Sequence, residues 1–203
     1  MKDEMKNNYC AVSGEVKTMP AFSHAVKNEM FFTFNLGIKR LSGQEDVLPV
    51  VINEKLLEST NITVGEGVSV YGEYRSANKL VDGKSRLVLS VFAKSIDHEP
   101  SVNPNYVELK GYICKDPVFR VTPFNREITD VLLAVNRDFG KSDYIPCILW
   151  GANAERSKDL RVGSPIKVGG RIQSREYNKF NNDTNTLETK VAYEVSVSNL
   201  YIE

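Results

Sequence analysis

Much of this 203-residue chain is written twice. Asn8-Tyr9 followed by Gly14 returns as Asn105-Tyr106 followed by Gly111, a shift of 97 residues. At the same shift Phe22 falls on Phe119, Leu36 on Leu133, Ile38 on Val135, Arg40 on Arg137 and Pro49 on Pro146. A shift of 98 carries Val64-Gly65 onto Val162-Gly163, Gly72 onto Gly170 and Ser76 onto Ser174. A shift of 104 carries Leu89, Val91 and Ile96 onto Tyr193, Val195 and Leu200, so copy two holds six extra residues in one loop. A period this long is the size of a domain, and it predicts tandem domains rather than a solenoid. The expected division is a first domain over residues 1–97, a linker over 98–105 and a second domain over 106–203. The linker, HEPSVNPN, is rich in proline, serine and asparagine, which punctuate structure.

Each copy has the rhythm of a small β-barrel. In copy two, residues 106–115 alternate apolar and polar, and Asp116-Pro117 is expected to end that strand. Further strands are expected over 127–136, 144–150, 165–174 and 190–201, with one short helix over 152–159. Pro146 has no amide to give to a ladder, so it belongs at an edge or bulge. Gly169-Gly170 reads as a bend. The polar, asparagine-rich stretch 178–189 reads as a loop. Copy one repeats the plan near 9–17, 30–39, 47–52, 67–76 and 86–96, with a helical stretch near 54–59. Five strands, a short helix between the third and fourth and glycines at the bends describe an all-β fold of two tandem OB-type Greek-key barrels, whose exposed strand face and loops bind oligonucleotides or oligosaccharides.

The bulk properties exclude several roles. Lys and Arg balance Asp and Glu at 26 each, so no general excess of positive charge holds a polyanion. The three cysteines, Cys10, Cys114 and Cys147, fit no metal or redox spacing. The opening MKDEMKNNY has no apolar run of the signal-peptide kind. A reducing, cytoplasmic setting is expected. Phosphate-cradling glycine loops, metal-ligand spacings and nucleophile motifs are lacking, so neither an enzyme nor a cofactor or metal is expected. His24 and His98 read as solvated, and Asp46, Asp116 and Asp143 as turn acids.

Copy two carries large aromatics where a binding face needs them. Phe139 follows strand two, Tyr144 opens strand three, Trp150 nearly closes it and Tyr177 follows strand four. Arg120, Arg137, Lys141, Arg171, Arg175 and Lys179 are interleaved. Bases stack on aromatic faces while basic groups track phosphates, and this works without sequence preference. Parity puts Tyr144, Pro146, Ile148 and Trp150 on one face and Cys147 and Leu149 on the other. Trp150 has a core reading beside the surface one. Copy one has Val47, Asn53 and a residue near Lys79 at the corresponding places, and Ser42 at that of Phe139. There Phe34 and Phe32 read as packing, and Phe31 and Tyr71 as outward. Copy one is expected to be mainly structural.

The segments VELKGYICKDPVFR (107–120), ITDVLLAVNR (128–137), YIPCILWG (144–151) and VGGRIQSREY (168–177), in this order and spacing, closely resemble the bacterial and phage single-stranded DNA-binding protein family. The resemblance implies an OB-fold and sequence-independent binding of single-stranded DNA in replication, recombination and repair. It puts base stacking on Phe139, Tyr144, Trp150 and Tyr177, and phosphate contacts on Arg120, Arg137, Lys141, Arg175 and Lys179. The family assembles four OB domains, which two copies per chain would supply as a homodimer, with replication or repair proteins as further partners. Family members carry a flexible tail with an acidic tip. Here Asn199–Glu203 falls within or just after strand five, so recruitment through such a tail is not expected. A second reading is a protein-interaction module similar to primosomal replication protein N, and a third takes RNA as the ligand.

Overall fold

The computed structural model describes residues 7–81, 83–99, 105–181 and 185–203. Copy one contains β1 (Asn8–Val16), β2 (Ala21–Val26), β3 (Glu29–Lys39), β4 (Glu45–Asn53), α1 (Glu54–Thr60), β5 (Gly67–Val81) and β6 (Lys84–Asp97). Copy two contains β7 (Asn105–Val121), β8 (Glu127–Asn136), β9 (Ser142–Trp150), α2 (Ala152–Ser157), β10 (Pro165–Asn181) and β11 (Thr186–Ile202). In copy one the strands close in the order β1-β3-β4-β6-β5 and back to β1. In copy two they close as β7-β8-β9-β11-β10 and back to β7. Among the described residues only β4–β6 and β9–β11 run parallel. Each copy is therefore a five-stranded OB barrel with its helix between the third and fourth strands, and the fold is all-β.

The repeated glycines sit where the barrels close. A Cβ on Gly14 would lie 2.2 Å from the Gly37 carbonyl oxygen, and one on Gly111 would lie 2.2 Å from that of Ala134. Gly72 and Gly170 stand at register shifts in β5 and β10, and a Cβ there would meet the Phe92 or Ser196 carbonyl oxygen at 2.0 or 2.2 Å. The backbones approach too closely at these corners for any side chain. Alternation fills the second barrel with Val107, Leu109, Val131, Leu133, Ile145, Cys147, Leu149, Ile172 and Val195, all buried. Burying one such aliphatic side chain stabilises the fold by about 1.5–3 kcal/mol.

The two barrels are joined by a ladder between β1 and β7 that runs from Asn8↔Leu109 through Cys10↔Val107 to Val12↔Asn105. Adding 97 to one end of this ladder generates the other, so the copies are related by a two-fold axis passing near Cys10 and Val107. A second joint obeys the same symmetry. Arg40 Nε donates to Asp46 Oδ2 at 2.7 Å, while Asp46 Oδ1 accepts the Ser174 amide of copy two at 2.7 Å. Across the axis Arg137 Nε lies 3.0 Å from Asp143 Oδ2, without the alignment of a hydrogen bond, and Asp143 Oδ1 accepts the Ser76 amide of copy one at 2.6 Å. Arg40 and Arg137 also donate to the Ser174 and Ser76 carbonyls, at 3.2 and 3.3 Å. Both aspartate side chains are wholly buried. Burial pushes the Asp143 carboxyl up, against the pull of the Ser76 amide and Arg137.

Several expectations are corrected. Asp46 and Asp143 are buried strand residues that bind the opposite copy, not turn acids. Asp116-Pro117 does not end its strand: β7 continues to Val121 by shifting register between Ile113 and Lys115 and again across Asp116-Pro117. In copy one the equivalent stretch is broken, giving the separate strand β2, which the sequence reading did not include. The supposed loop 178–189 is mostly a hairpin, since Tyr177↔Lys190 to Asn181↔Thr186 are paired. Polar side chains there hid the alternation. Phe31 is buried, covered by His24, which stacks on it at 4.9 Å, and by Phe92 at 5.9 Å. His24 therefore lies in β2 with an aromatic partner, and His98 Nδ1 lies 2.5 Å from Glu66 Oε1. Residues 100–104 of the expected linker lie outside the described residues, and Asn105 already opens β7. Pro146 pairs with Leu132 on one side, while the ladder to β11 begins only at Cys147, so its missing amide is harmless.

Candidate nucleic-acid interface

Strand β9 divides its side chains as its alternation requires. Asp143, Ile145, Cys147 and Leu149 turn inward and are buried. Tyr144, Pro146, Ile148 and Trp150 share the opposite face, on which Tyr144 is 44% exposed, Pro146 and Trp150 are half-buried and Ile148 is buried. Ile148 stands opposite Ser196 of β11, which in turn stands opposite Arg171 of β10. One outer face thus runs from β9 across β11 to β10, ending at Arg175 and Tyr177.

Trp150 is neither core nor free surface. It is half-buried on the outward side, and its indole Nε1 donates to Ser196 Oγ at 3.1 Å. With Val121, Asn125, Arg126 and Glu127 it lines an open hollow of about 590 Å³ beside the turn between β7 and β8. The hydrogen bond fixes the edge of the indole against the sheet, an arrangement suited to stacking a flat, apolar-faced ligand. Tyr177 is 38% exposed, with the Arg175 guanidinium 5.9 Å from its ring centre. Phe139 belongs to the 3-10 turn Asp138–Gly140, and its side chain lies outside the described residues. Three exposed apolar residues escaped the sequence reading: Phe124 at the β7–β8 turn, and Phe180 and Leu187, which face each other near the end of the β10–β11 hairpin. Phe124 stands in the turn signal Pro123-Phe124-Asn125, where Asn125 has φ 57°, and could have been flagged on that ground.

The cations are less free than their sequence positions imply. Arg120 Nε donates to Asp130 Oδ2 at 2.7 Å on the exposed surface. Arg175 Nε lies 3.6 Å from Glu194 Oε1, and that same oxygen accepts from Gln173 Nε2 at 2.8 Å. Arg137 is committed to the joint between copies. Lys141 and Lys179 are exposed, and among the described residues neither forms an ion pair.

Copy one has nothing comparable at the same places. Val47, Pro49, Val51 and Asn53 occupy the outward face of β4, and the Asn53 side chain accepts from the Leu56 amide at 2.8 Å, capping α1. On its β5–β6 face Arg75 lies 3.7 Å over the Phe92 ring, and Glu73 pairs with both Arg75 and Lys94. That face is satisfied from within. Among the described residues no helix is long and apolar enough to cross a membrane.

Comparison with known proteins adds the following. The model of the single-strand binding protein family matches residues 104–202. Single-stranded DNA-binding protein 2 of Listeria innocua is 40% identical over 80 residues, covering 36% of this chain and 50% of that protein. Single-stranded DNA-binding protein B of Bacillus subtilis is also 40% identical over 80 residues, covering 36% of this chain and 71% of that protein. The chain spans about half the length of most of these curated relatives. Among solved structures, the single-stranded DNA binding protein of Thermus aquaticus superposes with a TM-score of 0.71 at 22% identity, covering 97% of this chain and 92% of that one. That likeness is one of fold, and it extends over both barrels.

Proposed function

The chain belongs to the single-strand binding protein family, and from that premise we propose that it binds single-stranded DNA irrespective of sequence through its second barrel, in replication, recombination and repair. The observation that carries this reading is Trp150, held by its edge to Ser196 on an outward, open strand face that continues to Arg175 and Tyr177. Trp150, Tyr144, Tyr177 and Phe139 stack bases. Lys141, Lys179, Arg175 and Arg120 meet phosphates, the two arginines by exchanging Glu194 and Asp130 for the backbone. Arg137 serves the joint between the barrels. Binding involves no chemical step, and the setting is cytoplasmic.

The two units, residues 1–97 and 106–203, act as a built-in pair, and a homodimer of the chain supplies four barrels. Replication or repair proteins are the partners of such an assembly.

The test is intrinsic fluorescence. Trp150 is the single tryptophan, so quenching has one source. Oligo-dT is expected to quench it saturably, and duplex DNA is not. Absence of both quenching and a mobility shift with oligo-dT would favour the protein-interaction reading. Equal affinity for oligo-U would extend the ligand to RNA.

A further inference from the structure

The two-fold axis creates two related grooves, each between the turn after the second barrel strand of one copy and the fourth and fifth strands of the other. They have not kept the same chemistry. The groove between the β3–β4 turn of copy one and β10–β11 of copy two is open, with a volume of about 800 Å³. Lys39, Leu41, Tyr106, Arg171, Ser196 and Asn199 are among its walls. In the related position Glu73 replaces Arg171 and Phe92 replaces Ser196. There Arg75 stacks on Phe92 and Lys94 pairs with Glu73, so the cations of β5–β6 are already used.

Three features mark the open groove as a polyanion track. Among the described residues its one lining carboxylate, Asp46, is taken by Arg40. Lys39 is exposed and has no ion pair among the described residues, because Glu45 opposite it is held by Lys17 at 3.0 Å. The contact of Arg171 with Gln173 is long, 3.4 Å, and leaves most of its donors unused. The groove is also continuous with the aromatic face, since Ser196 lines it and accepts the Trp150 indole hydrogen bond.

We infer that a single strand stacked on Trp150 passes Ser196 and Arg171 into this groove and is held there by Lys39 on the β3–β4 turn, so that the first copy supplies one wall of the second copy's binding track. The inference rests on the single-strand reading above and adds a contribution from copy one that its bare outer face does not suggest. Leu41, fully exposed at the tip of the turn, gives a base an apolar surface to lie against. The β5–β6 wall of the related position offers no such track, its cations being paired and Glu73 acidic.

The experiment compares the full chain with Lys39→Glu and, separately, Arg171→Ala. Oligo-dT of about 5 and about 16 nucleotides, spanning the range one OB fold occupies, is titrated against Trp150 fluorescence at several salt concentrations. Each single-strand phosphate contact contributes about 0.7 to the slope of log affinity on log salt, or about fivefold at 0.1 M salt. Lys39→Glu is expected to lower affinity for the longer oligo by at least about fivefold and to flatten its slope by about 0.7. The shorter oligo, confined to the Trp150 end, loses less than about twofold. Arg171→Ala should weaken the longer oligo similarly and keeps the test valid if Lys39→Glu disturbs folding. If the parent is quenched but both variants match it for the longer oligo, the groove is overturned and the single-strand reading stands. If the parent is neither quenched nor shifted in mobility by oligo-dT, both fall.

Discussion

The two barrels keep the same corners and the same joint, and part company on the outer face of the third strand. Gly14 and Gly111, Gly72 and Gly170, and the two Arg–Asp–Ser joints occupy equivalent places. Tyr144 and Trp150 stand where copy one has Val47 and Asn53. What the duplication retained is what closes a barrel and couples it to its neighbour. There a backbone approach near 2 Å or a buried carboxylate admits few alternatives. What it released is a solvent face, where a base-stacking ring and a helix cap are both compatible with the fold. The difference teaches that symmetry of scaffold and asymmetry of function coexist because they depend on opposite sides of the same strands.

The symmetry of the joint can be broken first, and with the largest effect. Asp46→Ala and Asp143→Ala each strand a partly buried arginine. Each should cost about 3 kcal/mol of stability in chemical unfolding, the low end for breaking a buried pair because both guanidiniums keep some water. A large cost for one and none for the other would mean that the joint holds from one side only. Next comes the pair of residues at one position. Trp150→Ala should weaken oligo-dT binding by about 1–3 kcal/mol, or about 5- to 150-fold. Asn53→Ala should leave binding alone and cost about 1 kcal/mol of stability through the lost α1 cap. A Trp150→Ala protein that binds normally but melts early would return Trp150 to the core.

Smaller effects sharpen the contrast. Glu194→Gln keeps an acceptor for Gln173 and releases Arg175, so affinity should rise by about threefold, the scale of an exposed ion pair, with a steeper salt slope. The least effect concerns a tie between copy one and the start of the linker. His98, hydrogen-bonded to Glu66, should titrate by NMR above the usual histidine value, and Glu66→Gln should bring it back. Because the folded midpoint is raised, the small stabilisation is present below the unfolded value near 6.5 and disappears as pH rises through the folded midpoint.

The sequence already carried the barrel plan. Short apolar runs in ITDVLLAVN and YIPCILW bounded by polar residues and turn signals, together with glycines repeated at fixed offsets, left few choices of strand or bend. The parity of β9 put Trp150 and Tyr144 on one face but left open whether Trp150 was core or surface. What stayed hidden depends on partners distant in sequence. Asp143 reads as a turn acid until Ser76, 67 residues away, is seen donating to it. Arg137 reads as a phosphate ligand for the same reason. The β10–β11 hairpin carries polar residues on both faces, so its alternation has no apolar signature. Phe31 has the parity of a surface residue, and it is covered by His24 on the unanticipated strand β2 and by Phe92.

The most direct test of the division between copies moves the reporter from one face to the other. In the Trp150→Phe/Val47→Trp double variant the tryptophan sits on the outward face of β4, where copy one has its counterpart of Tyr144, while an aromatic ring remains at position 150 for stacking. Oligo-dT should quench the parent strongly and leave the moved reporter nearly unchanged, although competition against the parent still shows binding. Comparable quenching from β4, or quenching there with none in the parent, would contradict the assignment of single-strand binding to the second barrel.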